Sequence, residues 1–349
     1  MTNSNVITNS AEYGLIPQCD FFDKDIAVDG NTDKYYIIEN GDFVYNPRKS
    51  STAPYGPFNC YRGLDEGIVS PLYTCLKPLR PELTDYLLWY FRSSAWHSYI
   101  YHNGAQGGAR HDRVGMTNDL MDGIPINLPC LDEQKKISEF LSLLENRLTA
   151  QQKIVDALKS YKRGVLSILF ASKTVCDDPF VSWEEKSIAD LLSYEQPQKY
   201  IVTSEHYSTD YNTPVLTANK GFILGYTSET NSIYDKGDVI IYDDFTMDMK
   251  YVTFPFKVKS STIKMLTAKP GNNLYFLFSL LQSLKLTPEG HQRSYISKVE
   301  PMLVRVPPLN EQNHIARILK KIADLLEREE LTLTQLFNLK AGLLQELFI

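Results

Sequence analysis

The sequence LPCLDEQ at residues 128–134 opens a leucine-rich stretch that continues to Phe170. A second opening, VPPLNEQ at residues 306–312, leads into a similar stretch that ends at Phe348. The two stretches align without a gap at a constant offset of 178 residues, and a proline, the Glu-Gln pair and the closing phenylalanine coincide. So long an internal period indicates a duplicated unit and predicts a pseudo-symmetric molecule.

Each stretch predicts one long helix, because apolar residues recur at steps of three and four, as in a coiled-coil seam. A helix of this length exceeds the span of a small domain, so most of its seam should meet another helix, and the antiparallel second copy is the expected partner. The alternative is that each helix packs on its own domain. The predicted interface residues are Leu141, Leu144, Leu148, Val155, Leu158, Leu319, Ile322, Leu326, Leu333 and Leu336.

Smaller features mark the ends and the interior of these helices. Asp132 and Asn310 are predicted to be N-cap residues, since their side chains can accept hydrogen bonds from unpaired amides of a first turn. Gly164 and Gly342 occupy matching positions and cost helix stability. They are interpreted either as points of close backbone approach or as tolerated substitutions.

The repeat divides the chain into four blocks: residues 1–128, 129–172, 173–308 and 309–349. The second and fourth blocks are the helices, and the first and third are mixed segments with strand-like runs between Gly, Pro and Asn turns. The mixed segments resemble each other faintly, for example VIT at 6–8 and VLT at 215–217. The predicted fold class is α+β: two mixed α/β domains separated by two long antiparallel coiled-coil helices in a pseudo-two-fold arrangement.

Composition restricts the classes of function. With 349 residues and 43% hydrophobic side chains the chain is long enough for two domains. No apolar run reaches the ~18 residues of a membrane span, no secretory signal is recognisable, and five scattered cysteines predict reduced thiols, so a cytoplasmic protein without a membrane partner is expected. The net charge is −6, yet residues 129–172 carry 7 basic and 5 acidic side chains. An acidic chain can hold a local basic face.

The sequence contains no recognisable catalytic, cofactor or metal motif. Neither a phosphate-binding loop nor a dinucleotide-binding fingerprint occurs. His97 and His102 are five residues apart, which places them on different faces of a helix and disfavours a metal site. The sequence therefore predicts no catalytic residue, no metal and no cofactor, and a chain that depends on partners for any chemistry.

The whole arrangement, and above all LPCLDEQ and VPPLNEQ at the starts of two long helices, resembles the specificity subunits of Type I restriction-modification enzymes. The resemblance implies that the mixed segments are target recognition domains, each reading half of an interrupted DNA sequence. It also implies that the helices set the spacing and dock methyltransferase subunits, with a restriction-translocase subunit as a further partner. About 32 residues from Trp183 precede Val215, whereas five precede Val6, so the first recognition domain is predicted to be shortened at its N-terminal side.

Candidate contacts with double-stranded DNA are expected among basic and amide residues on loops or strands of the mixed domains, together with serines that lie among them. In the first domain they lie in an RKSS stretch and in a Gly-rich stretch, and in the second mostly in the lysine-rich run 250–269. A mobile surface loop or a solvated strand face is the alternative for each. The candidates are Arg48, Lys49, Ser50, Arg110, His111, Arg113, Lys220, Lys250, Lys257, Lys259 and Arg293.

A second class of function stays open at this point. Two domains held by a coiled coil could equally form an adaptor that presents two protein-binding surfaces without contacting DNA. Salt-dependent DNA binding would separate the two hypotheses, because contacts to phosphates weaken as salt rises.

Overall fold

The structure is a computed structural model, which describes residues 5–21, 32–104, 112–171, 183–219, 221–284, 286–288 and 293–348. It divides into two compact units. The first unit comprises Met1–Gln152 with Leu331–Ile349, and the second comprises Lys153–Glu330. Each unit thus combines a mixed domain with one part of each long helix. None of the described helices is both long and apolar enough to cross a membrane.

The first unit begins with a mixed domain of short strands and helices. Its core is formed by two apolar clusters, one around Trp96 and Tyr45 and one around Ile7 and Val69. Its elements are β1 (Val6–Ser10), β2 (Gly14–Pro17), α1 (Gln18–Phe21), β3 (Tyr36–Ile38), β4 (Phe43–Tyr45), β5 (Phe58–Cys60), β6 (Gly67–Val69), β7 (Thr74–Leu76), α2 (Thr84–Arg92), α3 (His97–Asn103), α4 (Asn118–Asp122) and the start of α5 (Leu131–Ala171), with a 3-10 turn at Pro81–Leu83.

The second unit contains the end of α5, a second mixed domain and the start of the C-terminal helix. A 3-10 turn lies at Pro197–Tyr200 and a π-helical turn at Tyr295–Val299. The remaining elements are β8 (Glu184–Ser187), α6 (Ile188–Leu191), β9 (Leu192–Glu195), β10 (Thr213–Leu216), β11 (Ile223–Thr227), β12 (Val239–Asp243), β13 (Met249–Val252), β14 (Lys257–Val258), β15 (Ile263–Ala268), α7 (Leu274–Ser283), β16 (Leu303–Val306) and α8 (Leu309–Glu346).

The two mixed domains share a strand topology. In the first, β1 is antiparallel to β2 and parallel to β6, and β4 lies between β5 and β7. In the second, β10 is antiparallel to β11 and parallel to β14, and β12 lies between β13 and β15. The equivalence of β1 and β10 agrees with the faint sequence similarity at residues 6–8 and 215–217. The α+β fold class predicted from the sequence is confirmed.

The second mixed domain has additional strands. There β9 pairs with β15 and β8 pairs with β16, the strand that leads into α8. In the first unit, the only described partner of β7 is β4, and no described strand precedes β1. Residues 184–195 are therefore the piece for which the described part of the first unit holds no counterpart.

The long helices run antiparallel within each unit. In the first unit, Leu141 near the start of α5 shares an apolar cluster with Phe348. In the second unit, Leu166 near the end of α5 packs against the cluster that holds Leu319, near the start of α8. The predicted interface positions are all buried or half-buried: Leu141, Leu144, Leu148, Val155, Leu158, Leu319, Ile322, Leu326, Leu333 and Leu336.

The repeated Glu-Gln pair has a local explanation. The side chain of Gln134 donates from Nε2 to the carbonyl of Pro129 (2.6 Å), and Gln312 donates in the same way to Pro307 (2.9 Å). The glutamine thereby closes the turn between the proline and the helix and satisfies a buried carbonyl. The N-cap prediction is wrong by two positions, because the helices begin at Leu131 and Leu309 and hence Asp132 and Asn310 are the second residues of their first turns.

Gly164 and Gly342 are not points of close approach. A Cβ atom built on either glycine meets no atom within 4 Å apart from the adjacent helix backbone. Glycine destabilises a helix interior relative to alanine by about 1 kcal/mol. We therefore expect Gly164→Ala and Gly342→Ala each to raise the free energy of unfolding by up to ~1 kcal/mol. Urea denaturation measures the change, and a loss of stability at either site would show that the glycine is needed.

Candidate nucleic-acid interface

The first unit brings together two loops that were predicted separately. Arg48 and Arg113 form an antiparallel backbone bridge, and the amide of Lys49 donates to the carbonyl of Asp112 (2.8 Å). On the other side, the amide of Val114 donates to the carbonyl of Pro47 (2.8 Å). The RKSS stretch and the end of the Gly-rich stretch therefore form one surface rather than two.

The side chains on this surface suit a polar ligand. Arg48, Lys49 and Ser50 are exposed, and the hydroxyl of Ser50 accepts the amide of Ala53 (3.0 Å), which fixes the turn. Arg113 is half-buried, and its Nε has no hydrogen-bond partner among the described residues. A guanidinium offers donors in the fork geometry that matches a guanine edge or a phosphate. Arg110 and His111, also predicted here, lie outside the described residues.

Buried asparagines support this surface, and sequence reasoning missed them. The amide of Asn59 donates to Asn9 Oδ1 (2.7 Å), and Asn9 Nδ2 donates to the carbonyl of Val44 (2.7 Å). Asn46 donates to the carbonyl of Asn9 (3.1 Å) and accepts the amide of Arg48 (3.0 Å). The available signal was an asparagine inside an apolar strand, which needs a hydrogen-bond partner when it is buried.

In the second unit, the prediction that Lys257 contacts phosphate is wrong. Its side chain is 2% exposed, and its Nζ lies 2.8 Å from a carboxylate oxygen of Glu229 and donates to the carbonyl of Asn231 (3.0 Å). In the strand register Lys257 pairs with Val215 as Ile68 pairs with Val6 in the first unit. Lys257 thus occupies a core position of a parallel strand pair.

The other lysines of the run 250–269 also do not form one exposed basic surface. Lys264 is buried with Asp244, and Lys269 donates to the carbonyl of Ala189 (2.6 Å). Lys250 is half-buried on β13. Lys259 is partly exposed, and its hydrogen bond with Glu205 raises the pKa of its ammonium group. Only Lys250 and Lys259 therefore stay candidates for DNA contact within this run.

A buried acidic pair connects several loops at one edge of the second unit. Asp243 accepts the amides of Phe245 and Thr246 (2.9 Å each) and the hydroxyl of Thr262 (2.8 Å). The hydroxyl of Thr246 in turn donates to Asn219 Oδ1 (3.1 Å). Lys220 lies outside the described residues, but its neighbour Asn219 is held in this way. The loops near residues 219, 246 and 262 thus form one surface.

Asp244 extends the same network to Arg293. Its carboxylate accepts the amides of Ser294 (3.0 Å) and Tyr295 (2.8 Å), and lies 3.2 Å from Lys264 Nζ. Asp244 and Lys264 are each 2% exposed. Arg293, the residue directly before this anchor, is exposed. The network therefore anchors the segment that begins with the exposed Arg293.

Metal ligands do not assemble in the described part of the chain, where no group of three or more His, Cys, Asp or Glu residues could hold an ion. The ring of His97 packs against Tyr55 and Trp96 (4.9 and 4.7 Å between ring centres), and burial lowers the pKa of its imidazole. His97 is accounted for by this aromatic packing.

Known proteins are similar to this chain in sequence. The family model of the Type I restriction modification DNA specificity domain matches residues 181–336. The specificity subunit of the type I restriction enzymes EcoR124I and EcoR124II of Escherichia coli is 40% identical over 152 residues, which are 40% of this chain and 37% of that protein. The MjaX type I restriction enzyme specificity subunit assigned in Methanocaldococcus jannaschii is 25% identical over 322 residues, 84% of this chain and 74% of that protein.

A solved structure resembles most of the chain. The S subunit of a Type-I restriction-modification system from M. genitalium superimposes with a TM-score of 0.62 over 93% of this chain and 87% of that one. The sequences are 14% identical, so the likeness concerns the fold.

Proposed function

We propose that the chain is a specificity subunit of a Type I restriction-modification enzyme and that it reads an interrupted double-stranded DNA target, one half-site by each unit. The match to the DNA specificity domain over residues 181–336 and the similarity to two specificity subunits support this proposal. The observation that carries the proposal is that the units share a strand topology but present different loops. The first offers Arg48 and Arg113, and the second offers Asn219 and Arg293. Two units with the same strand topology but different contact residues suit a DNA target whose two half-sites differ.

The long helices supply a surface for protein partners. In the second unit, exposed apolar residues stand seven apart on α5, at Ile154, Tyr161 and Ile168. Repeats of this kind on a helix suit the packing of further helices. We assign this surface to methyltransferase subunits, with a restriction-translocase subunit as an additional partner. The other exposed large apolar residues on these helices are Leu131, Phe140, Leu143, Leu309, Ile318, Leu325, Leu331, Phe337 and Leu339.

The chain itself is proposed to be non-catalytic and to work in the cytoplasm, where the DNA is. Its contribution is to select the sequence, and the methyl transfer belongs to the docked subunits. The adaptor hypothesis is not favoured, because the family match covers most of the second unit, with its loops around Asp243 and Asp244.

Reconstitution tests the proposed function. The chain is co-expressed with a cognate modification subunit in a host that lacks adenine methylation, and the methylated positions of the genome are sequenced. We expect one interrupted motif with adenine methylation in both halves. Methylation without sequence preference, or none from a complex that has assembled, would contradict the proposal.

Arg113 gives a sharper test of the first unit. Arg113→Ala should relax or abolish the reading of one half-site and leave the other unchanged, because the guanidinium lies in the first unit only. Loss of one bidentate contact to guanine corresponds to ~1–3 kcal/mol of discrimination. Arg80→Ala, which removes an exposed arginine elsewhere in the first unit, is the matched control. Equal loss at both half-sites would refute the assignment of one half-site to each unit.

A further inference from the structure

A cleft in the second unit lies between the end of α5 and the β12–β13 turn, with a volume of about 700 Å³. Its lining includes the apolar Met249 and Leu326 and three basic residues of α5, Lys159, Lys162 and Arg163. It also holds two carboxylates, Asp156 and Asp248. The turn that carries Asp248 is the one that Asp243 anchors, so the cleft adjoins the candidate nucleic-acid interface.

Lys162 differs from its counterpart in the repeat. At an offset of 178, Lys162 corresponds to Lys340, whose Nζ is 2.5 Å from Glu145 and 5.7 Å from the ring centre of Trp89. The residue that corresponds to Glu145 is Ala323. Both units therefore have the lysine, but only the first unit has the glutamate beside it.

The charges around Lys162 leave its ammonium group without a direct partner. Within the described residues no hydrogen bond or ion pair engages it, and Lys159 takes the nearby Glu330 (2.7 Å). Burial lowers the pKa of Lys162, and Lys250 lowers it further against the opposing effect of Glu330. A half-buried cation that no hydrogen bond or ion pair engages directly is unfavourable, and a bound anion would relieve it.

We propose that this cleft binds a phosphate group through Lys162, with Arg163 beside it. Both are on α5, in the net positive block of residues 129–172. Phosphate is the anion whose charge and acceptor oxygens suit a cluster of lysine and arginine donors. The group is either a phosphate of the DNA backbone, in which case the proposal rests on the proposed function, or that of a free phosphate-bearing molecule.

Two variants test the site. Ala323→Glu supplies the missing acid and so recreates the pair of the first unit, and Lys162→Gln removes the ammonium group. Lys153→Gln, an exposed lysine of the same helix, is the matched control. Thermal unfolding checks that each variant is folded. If Ala323→Glu does not fold, Lys162→Gln still tests the site.

The first measurement titrates the purified chain with inorganic phosphate by calorimetry. The second measures the salt dependence of DNA binding by the complex with modification subunits. We expect both variants to change at least one of the two quantities. Either the affinity for phosphate falls at least tenfold, or the slope of the logarithm of the DNA-binding constant against the logarithm of the salt concentration becomes shallower by about 0.9, the value for one lost phosphate contact. The control should leave phosphate binding unchanged.

The outcomes separate the sources and the proposals. A reduced slope identifies a DNA phosphate, and weakened phosphate binding with an unchanged slope identifies a free molecule. If neither quantity changes, or the control changes phosphate binding as much, the site is refuted. If the wild-type complex binds no specific DNA, the proposed function fails, and the phosphate titration still decides the site.

Discussion

Replacing Lys257 with isoleucine should lower the free energy of unfolding of the second unit by about 3–5 kcal/mol, the range for removing one partner of a buried ion pair. The substitution leaves the carboxylate of Glu229, whose side chain is 14% exposed, without its cation. Isoleucine itself fits a strand pair of this kind, because Ile68 occupies the equivalent position in the first unit. The loss therefore measures the uncompensated charge rather than poor packing.

The effect should depend on pH in a defined direction. Burial raises the pKa of Glu229, but hydrogen bonds from Lys257, from the hydroxyl of Thr203 and from the amides of Thr203 and Ser204 outweigh it and bring the pKa to about 2. A lowered folded-state pKa stabilises the protein above the unfolded-state value, near 4.5, and this contribution is lost as pH falls towards 2. The difference between wild type and Lys257→Ile should shrink over the same interval.

Urea denaturation at pH 7 and at pH 3.5 measures this difference, and a second variant controls it. In Lys257→Ile with Glu229→Gln the charge is removed from both sides, while the amide oxygen can still accept from Thr203 and Ser204. This double variant should regain most of the lost stability. If it is as unstable as the single variant, the buried charge is not the cause.

The long helices could be predicted because the spacing of apolar residues along the chain is enough to identify them. The period of three and four residues fixes which positions of a helix share a face. The repeat at an offset of 178 then showed that the same seam occurs twice, including Leu141 and Leu319. The second copy, running antiparallel, was therefore the expected partner of the first.

The lysines of the second domain could not be predicted, because their environment is tertiary. Lys257 and Lys264 read as a basic face in the sequence, but their acid partners, Glu229 and Asp244, lie 28 and 20 residues earlier in the chain. A weak signal was present in β15, where Lys264 stands between Ile263 and apolar residues. A strand that is apolar throughout is typical of burial on both faces.

The candidate surface of the first unit was predicted in pieces. Arg48 and Arg113 were each predicted to contact DNA, because basic side chains in loops suit phosphates and base edges. Their adjacency depends on the bridge between residues 48 and 113, which are 65 positions apart. No local pattern encodes a contact at that separation, so only the structure could join them.

Replacing Lys264 with methionine should impair the reading of one half-site and also lower stability by about 3–5 kcal/mol. Methionine fills the space of the lysine stem but leaves the carboxylate of Asp244 buried without its cation. That carboxylate accepts the amides of Ser294 and Tyr295, directly after the exposed Arg293. The unpaired carboxylate is stabilised by contact with water, so the segment that Asp244 anchors should loosen. Arg293 should then lose its fixed position.

The methylation motif of the reconstituted complex is the decisive measurement, made below the unfolding temperature of the variant. We expect the half-site of the second unit to become degenerate and that of the first unit to stay intact. In Lys264→Met with Asp244→Asn the pair is neutral, and the amide oxygen can still accept from Ser294 and Tyr295. This double variant should recover both stability and the motif.

Lys257→Ile separates positioning from general destabilisation. It removes a buried cation from the same unit and is expected to cost a similar amount of stability, yet in the described residues no hydrogen bond or ion pair joins Lys257 or Glu229 to the segment 293–295. It should therefore lower the unfolding temperature and leave both half-sites intact. If Lys257→Ile degrades the motif as much as Lys264→Met does, the loss follows from instability alone. If Lys264→Met leaves the motif unchanged, the Asp244 network does not position the reading surface.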